Sequence, residues 1–497
     1  MKKHLRLICL LLCVFLLTGC TAGTPLHTSS ALPTAAPGPA APIGDAGLRQ
    51  ESVVPLHLPS LDGQSLLTFY ERMLLPLDRH PAETILTALL SHPGNSRVRP
   101  VGGSIRLALS GANPVEISGS ICTVNLSAGA LQLSMQELYT AALCISTTLC
   151  ELDDIQYVNL LIADTPIAMD VGGHLPLGAL SGSTGAELPV QWEQFSSRRT
   201  PAGELPAHTP LTSAASLYFP LADGSGIVAE PRRISFPGQH PQQQVIALLD
   251  ALSAGAQLAE NAASMPDLRR MLLFTPEVTN LESGGRRATL HFTADVQHRL
   301  LSAGCDPSAV FAAITYTLTT FVPSLQQVCI LVGDGALTSL YSDALGSLLF
   351  PGGLMNRHTF SHALMGQTTV FIPEGQRLSA RMLALPYRSA SSPRTLLQAL
   401  AAPELSALPP GLTDADILGL TVQDGVLLIN LSARYAEVIR HSGLDQRLAA
   451  YAAVNTLCRM LNVQRVRFYF GGTQIDSLGS ALCWSGEFFA NPALIAP

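Results

Sequence analysis

Lysine is almost missing from this chain: Lys2 and Lys3 are the only two, so arginine is the sole strongly basic side chain beyond the first residues. Charged residues make up 13% and aromatic residues 6% of the 497, with a formal net charge of −7. Without a basic run, the chain lacks the electrostatic footprint of a nucleic-acid binder. No stretch reaches about 18 unbroken apolar residues, so none reads as a permanent transmembrane helix. No C-x-x-C pair occurs, which removes the minimum spacing of a zinc or thioredoxin-like site. H-E-x-x-H and G-x-S-x-G are absent too, and Gly102-Gly103 and Gly182-Ser183-Thr184-Gly185 lack the lysine of a phosphate loop.

What is present begins at the N-terminus. Lys2, Lys3 and Arg6 precede an apolar run from Leu5 to Leu17 that Arg6 alone interrupts, the pattern of a secretory signal. Leu17-Thr18-Gly19-Cys20 follows and resembles the lipobox of bacterial lipoproteins. That resemblance implies cleavage before Cys20, lipidation of its thiol, and an extracytoplasmic, cell-membrane location held by a lipid anchor. Two acyl chains hold firmly where one is only marginal. Removing Lys2, Lys3 and Arg6 takes the charge from −7 to −10, so the anchor and not the protein surface must hold the bilayer. Residues 20–52, rich in Ala, Pro, Thr and Ser, are expected to form a flexible stalk.

Seven cysteines remain: Cys122, Cys144, Cys150, Cys305, Cys329, Cys458 and Cys483. An odd number cannot all pair internally, and most lie in apolar runs, so they are expected in cores, with Cys144–Cys150 a disulfide alternative.

Three regions, 53–182, 214–348 and 366–483, share five landmarks in one order. A strand ending in proline precedes a turn: Leu56-His57-Leu58-Pro59 with Asp62-Gly63, Leu217-Tyr218-Phe219-Pro220 with Asp223-Gly224, and Val370-Phe371-Ile372-Pro373 with Glu374-Gly375. His80-Pro81, His240-Pro241 and Ser392-Pro393 then open a helix. A strand follows at Val124-Asn125-Leu126-Ser127, Leu290-His291-Phe292-Thr293 and Ile429-Asn430-Leu431-Ser432, then a second helix through Thr148-Leu149, Thr317-Leu318 and Thr456-Leu457. A last strand closes each copy at Val158–Ile162, Val328–Val332 and Val466–Phe470. The order strand, strand, helix, strand, strand, helix, strand predicts an α/β domain with two helices on one face of a mixed sheet. Segments 183–213 and 349–365 read as linkers and 484–497 as a tail. In the first copy, Leu66 to Glu71 stands where the second copy has a clear second strand, so the start of that copy reads as eroded.

These landmarks resemble the GerMN domain, the sporulation and spore-germination domain of envelope lipoproteins. The second copy fits best, through Leu217-Tyr218-Phe219-Pro220, Asp223-Gly224, Ile227 to Ile234 and Val328 to Gly333; the third adds Val454-Asn455-Thr456-Leu457. The resemblance implies three tandem α/β (α+β-like) domains similar to ring-building motifs, and a role in scaffolding and assembly with envelope or sporulation-complex proteins, including self-assembly. No catalytic constellation stands out in the residues, so no cofactor and no enzyme activity are expected.

The repeats also weigh catalysis. His80 and His240 could act as bases, but Ser392 at the third position fits a helix cap instead. Asp62, Asp223 and Glu374 each stand beside a turn glycine, one per copy. Arg232, Arg233, Arg286 and Arg287 are the candidate partner-binding residues, since arginine suits bidentate carboxylate contacts. Trp192 and Trp484, at domain edges, are candidates for stacking on a sugar in an alternative reading, a lipoprotein holding a peptidoglycan fragment or small solute.

Overall fold

The landmarks become elements in the predicted order. In repeat 1, β1 (Arg49–Pro59) and β2 (Leu66–Pro76) precede α1 (Ala82–Ser91), β3 (Val115–Ser118), β4 (Ile121–Leu126), α2 (Met135–Leu149) and β5 (Tyr157–Ile162). A connecting helix, α3 (Leu188–Ser196), leads to repeat 2: β6 (Leu211–Pro220), β7 (Ile227–Phe236), α4 (Pro241–Ser253), β8 (Glu277–Asn280), β9 (Arg286–Phe292), α5 (Pro307–Phe321) and β10 (Leu325–Val332). Repeat 3 holds β11 (Met365–Glu374), β12 (Arg377–Pro386), α6 (Pro393–Leu400), β13 (Ile417–Gln423), β14 (Val426–Leu431), α7 (Gln446–Leu461) and β15 (Arg465–Phe470). The computed structural model describes residues 39–45, 48–183, 187–282 and 284–496. The signal, Cys20 and most of the expected stalk lie outside them.

The class is mixed α/β, and within each repeat the strands divide into two groups. The first two pair with each other as a long hairpin outside the main sheet: β1–β2, β6–β7 and β11–β12. The other three form a mixed sheet in which the middle strand runs parallel to the last and antiparallel to the first. Parallel neighbours need a crossover, and α2, α5 and α7 supply it. A hairpin edge would ordinarily invite another strand. Here the second helix covers it, its landmark threonine taking an outward backbone N–H from the hairpin.

The second helix is therefore an inner layer. Phe311 of α5 meets Phe292 of the sheet at 5.6 Å, while Phe321 stacks on Phe236 of the hairpin at 4.9 Å. All fifteen residues of α5 are buried, as expected for a helix enclosed on all sides. Its start is set by Asp306, whose carboxylate accepts the Ser308 and Ala309 N–H groups, with Pro307 in the first turn. Ser134 and Glu137 form a capping box on α2, and Asp445 caps α7.

Three expectations need correction. The eroded start of repeat 1 is a full strand: β2 pairs with β1 along its whole length, and none of its residues is fully buried, which hid the alternation. Part of the expected stalk is folded, because residues 41–45 lie against repeat 3 and residues 49–52 belong to β1. Cys144 and Cys150 are free thiols, and Cys483 is exposed instead of buried.

Residues 41–497 form one compact unit. Repeats 1 and 2 share one continuous apolar core, which takes in Phe350 and Phe360 from segment 349–365. Repeat 3 has its own core, to which Leu48 contributes.

Candidate functional site

The most constructed place in the molecule is where the three repeats meet. Ser118, at the end of β3, is buried; its hydroxyl donates to the Met365 carbonyl of repeat 3 at 2.5 Å and accepts the Ala229 N–H of repeat 2 at 3.0 Å. Gly119 follows at φ +57°, and a Cβ there would stand 2.2 Å from the Ala229 carbonyl oxygen. Only glycine meets both demands cheaply.

Beside it lies a buried ion pair. Arg357, from the segment before repeat 3, reaches Glu116 of β3. Its guanidinium also donates to the Thr320 hydroxyl and lies 4.3 Å from the Tyr316 ring centroid, both on α5. Burial is the largest single influence and disfavours the charged guanidinium, but Glu116 together with Tyr218 and Tyr316 outweighs it and holds Arg357 above its ordinary pKa. Arginine suits such a place, since it stays charged and presents a fork of donors.

Repeat 3 is also tied to the N-terminal end of the fold. Gly44 donates to the Leu418 carbonyl at 2.8 Å, and Asn430 donates to the Pro42 carbonyl at 2.9 Å. Asp45 receives two bonds from Arg394, each 2.8 Å, and one from the Leu420 N–H. Nearby, Asp416 is buried and bonded by Arg434, Ser432 and Thr413. The Arg434 bonds contribute most to holding its carboxyl well below the usual range.

A cleft of about 970 Å³ opens between the repeats, lined by Ser52, His80, Asp154, Pro231, Gln367 and Arg459 among others. Among the described residues no three His, Cys, Asp or Glu side chains gather as a metal-holding group, and no helix is long and apolar enough to cross a membrane.

Residues 367–476 match the Germane family, described as sporulation and spore germination. The third repeat is a GerMN domain. Among solved structures, the tandem GerMN domains of the sporulation protein GerM from Bacillus subtilis align with 57% of this chain and 92% of their own length, at 18% identity and a TM-score of 0.21. The first GerMN domain of the same protein aligns with 27% of this chain and 97% of its own length, at 17% identity and a TM-score of 0.18. No curated protein sequence matches the chain significantly.

Across the three repeats, the residues singled out from sequence fall in different places. Arg232 is mostly enclosed: it pairs with Glu230, donates to the Ala251 and Gly255 carbonyls, and lies 5.5 Å from the Phe219 ring. Arg286 donates to the Gly173 and Pro323 carbonyls, at 2.5 and 3.1 Å, and so ties repeat 2 to repeat 1. Arg287 donates to Gln327 at 3.3 Å. Arg233 alone of the four is exposed. Cys20, Leu17, Thr18 and Gly19 lie outside the described residues.

His80, His240 and Ser392 each accept a backbone N–H at the start of a helix, from Ala82, Gln242 and Thr395. Gly63, Gly224 and Gly375 take positive φ in their hairpin turns. Trp484 is buried and donates to Gln446 at 3.2 Å, so its ring cannot face a sugar. Trp192 covers α2 through Tyr139 at 5.7 Å, with Arg199 on its other contact at 4.9 Å. Sequence reading missed Ser118, Glu116, Arg357 and Asp45. A lone Arg357 between apolar landmarks was the one available signal, and nothing in sequence pointed to its partner.

Proposed function

We propose that this chain is a non-enzymatic scaffold of the cell envelope, anchored through Cys20 and acting in sporulation or spore germination. The observation that supports it is the match of repeat 3 to the sporulation and germination family. The side chains that bridge the repeats, Ser118, Glu116 and Arg357, are spent on holding the repeats together, which suits a rigid assembly part. Lipidation would set that part at the outer face of the membrane.

The test is capture of the lipidated protein, after mild cross-linking, from membranes of vegetative and sporulating cells. Co-capture of sporulation-complex proteins only from sporulating cells is the expected outcome. Capture with wall enzymes from growing cells instead would reject the sporulation role. A Cys20→Ala chain should leave the membrane fraction; if it stays, the anchor is wrong.

The cleft between the repeats favours one second reading, a peptidoglycan fragment or small solute held among His80, Asp154 and Arg459. A melting shift on adding muropeptides would support it.

A further inference from the structure

The cleft between the repeats has a side slot whose chemistry is narrower than its own. This slot, about 240 Å³, lies where β3 and the start of α1 in repeat 1 face the turn between β12 and α6 of repeat 3. Arg79, His80, Asp154, Gln367 and Ser391 line both spaces, so the two adjoin. The slot walls are apolar: Ala82 and Ala390 are buried, and Val115 and Ile117 are partly covered. Gly366 lets repeat 3 close the far side, since a Cβ there would stand 2.8 Å from that of Ala390.

Two polar groups in this lining lack a full set of partners. The Asn113 amide oxygen is shut off from solvent, and among the described residues no donor reaches it. A buried acceptor in that state is costly and uncommon. The Tyr387 hydroxyl accepts from Arg388 Nε at 3.3 Å, and among the described residues its own proton has no acceptor. Burial raises the Tyr387 pKa, so the hydroxyl keeps that proton at neutral pH.

Charge around the slot decides against an ion. Arg79 and Arg388 are matched there by Glu83 and by Asp154, which is already bonded to His80 at 2.9 Å. Balanced charges favour neither an anion nor a cation, and the apolar walls favour a neutral group. A neutral group offering one N–H, one carbonyl and a small apolar end is a secondary amide.

We propose that the slot takes the N-acetyl group of an amino sugar, with its N–H on Asn113, its carbonyl on the Tyr387 hydroxyl and its methyl against the apolar wall. The sugar ring then lies in the cleft, where Ser52, Gln156 and Thr369 supply neutral polar side chains for its hydroxyl groups. This deepens the reading of the cleft as a site for a peptidoglycan fragment and rests on it.

The test is saturation-transfer NMR on the full chain in mild detergent, with the disaccharide of N-acetylglucosamine as probe. The acetyl methyl protons should receive the strongest transfer. By calorimetry, cellobiose, which carries hydroxyls in place of the acetamido groups, should bind roughly tenfold more weakly or worse. Tyr387→Phe should weaken binding of the acetylated sugar roughly tenfold. Asn113→Leu should weaken it as much while melting no lower than wild type, because it removes an unpaired buried acceptor. Equal affinity for the two disaccharides, unchanged affinity in both variants, or binding of an N-acetylated alanine dipeptide without the sugar would overturn the assignment. Muropeptide binding that survives both substitutions would remove the slot and leave the cleft reading in place. No binding of either muropeptide or acetylated sugar would remove both.

Discussion

The Thr317 hydroxyl accepts the backbone N–H of Tyr218 at 3.0 Å, a bond between the middle of α5 and the first strand of its hairpin. The same bond recurs from His57 to Thr148 at 2.9 Å and from Phe371 to Thr456 at 3.0 Å. In each case a buried donor that lacks a strand neighbour is satisfied by the helix beneath it. A threonine inside an otherwise apolar helix is thereby explained three times by one cause.

Thr317→Val keeps the shape and removes the acceptor, leaving the Tyr218 N–H unpaired. The expected loss is about 1–3 kcal/mol, read by urea unfolding, with Thr317→Ser retaining most of the stability. Equal stability of the valine variant would show that the bond contributes nothing.

Arg357 and Glu116 are both largely shielded, so removing one partner strands the other. Arg357→Met should cost about 3–5 kcal/mol, and adding Glu116→Leu should recover much of it, because paired removal leaves no lone buried charge. A double-mutant cycle measures the difference. Additive losses would show that the two groups do not interact.

Asp416 links repeat 3 to pH. Its carboxyl is held below the ordinary value of 3.8, chiefly by the Arg434 hydrogen bonds, so the folded state binds its proton less readily than the unfolded one. That stability is fully present above about pH 4 and is lost as pH falls through the lower folded value. Melting temperatures measured from neutral to acid pH should therefore drop less steeply for Asp416→Asn, which should also melt lower than wild type at neutral pH. Parallel pH profiles would remove Asp416 from the acid response.

Thiol labelling tests the cysteine assignments. Burial pushes Cys144 up to about 12 and Cys458 up to about 11, whereas Cys483 is exposed. Thiolate is the reactive form, so Cys483 should label first in the folded chain, and the buried thiols only after denaturation. Fast labelling at Cys144 would contradict the packing of α2.

The features legible in sequence were local ones. Proline after His80, His240 or Ser392 announced a helix start because a cap and its target N–H lie within three residues. Asp62-Gly63 and Asp223-Gly224 announced hairpin turns for the same reason. Hairpin 1 was misread because its apolar residues face out at Tyr70 and Leu74, so alternation no longer marked a buried side.

Sequence alone therefore determined the repeat, the order of elements, the second-helix threonines and the apolar patterns of the cores, all set by residues a few positions apart. Only the tertiary structure decided which face each hairpin covers, that Ser118 joins Ala229 and Met365, and that Arg357 meets Glu116. Those contacts join residues more than a hundred positions apart, where no periodicity or turn chemistry couples one to the other. They form only when the separate surfaces must be buried together.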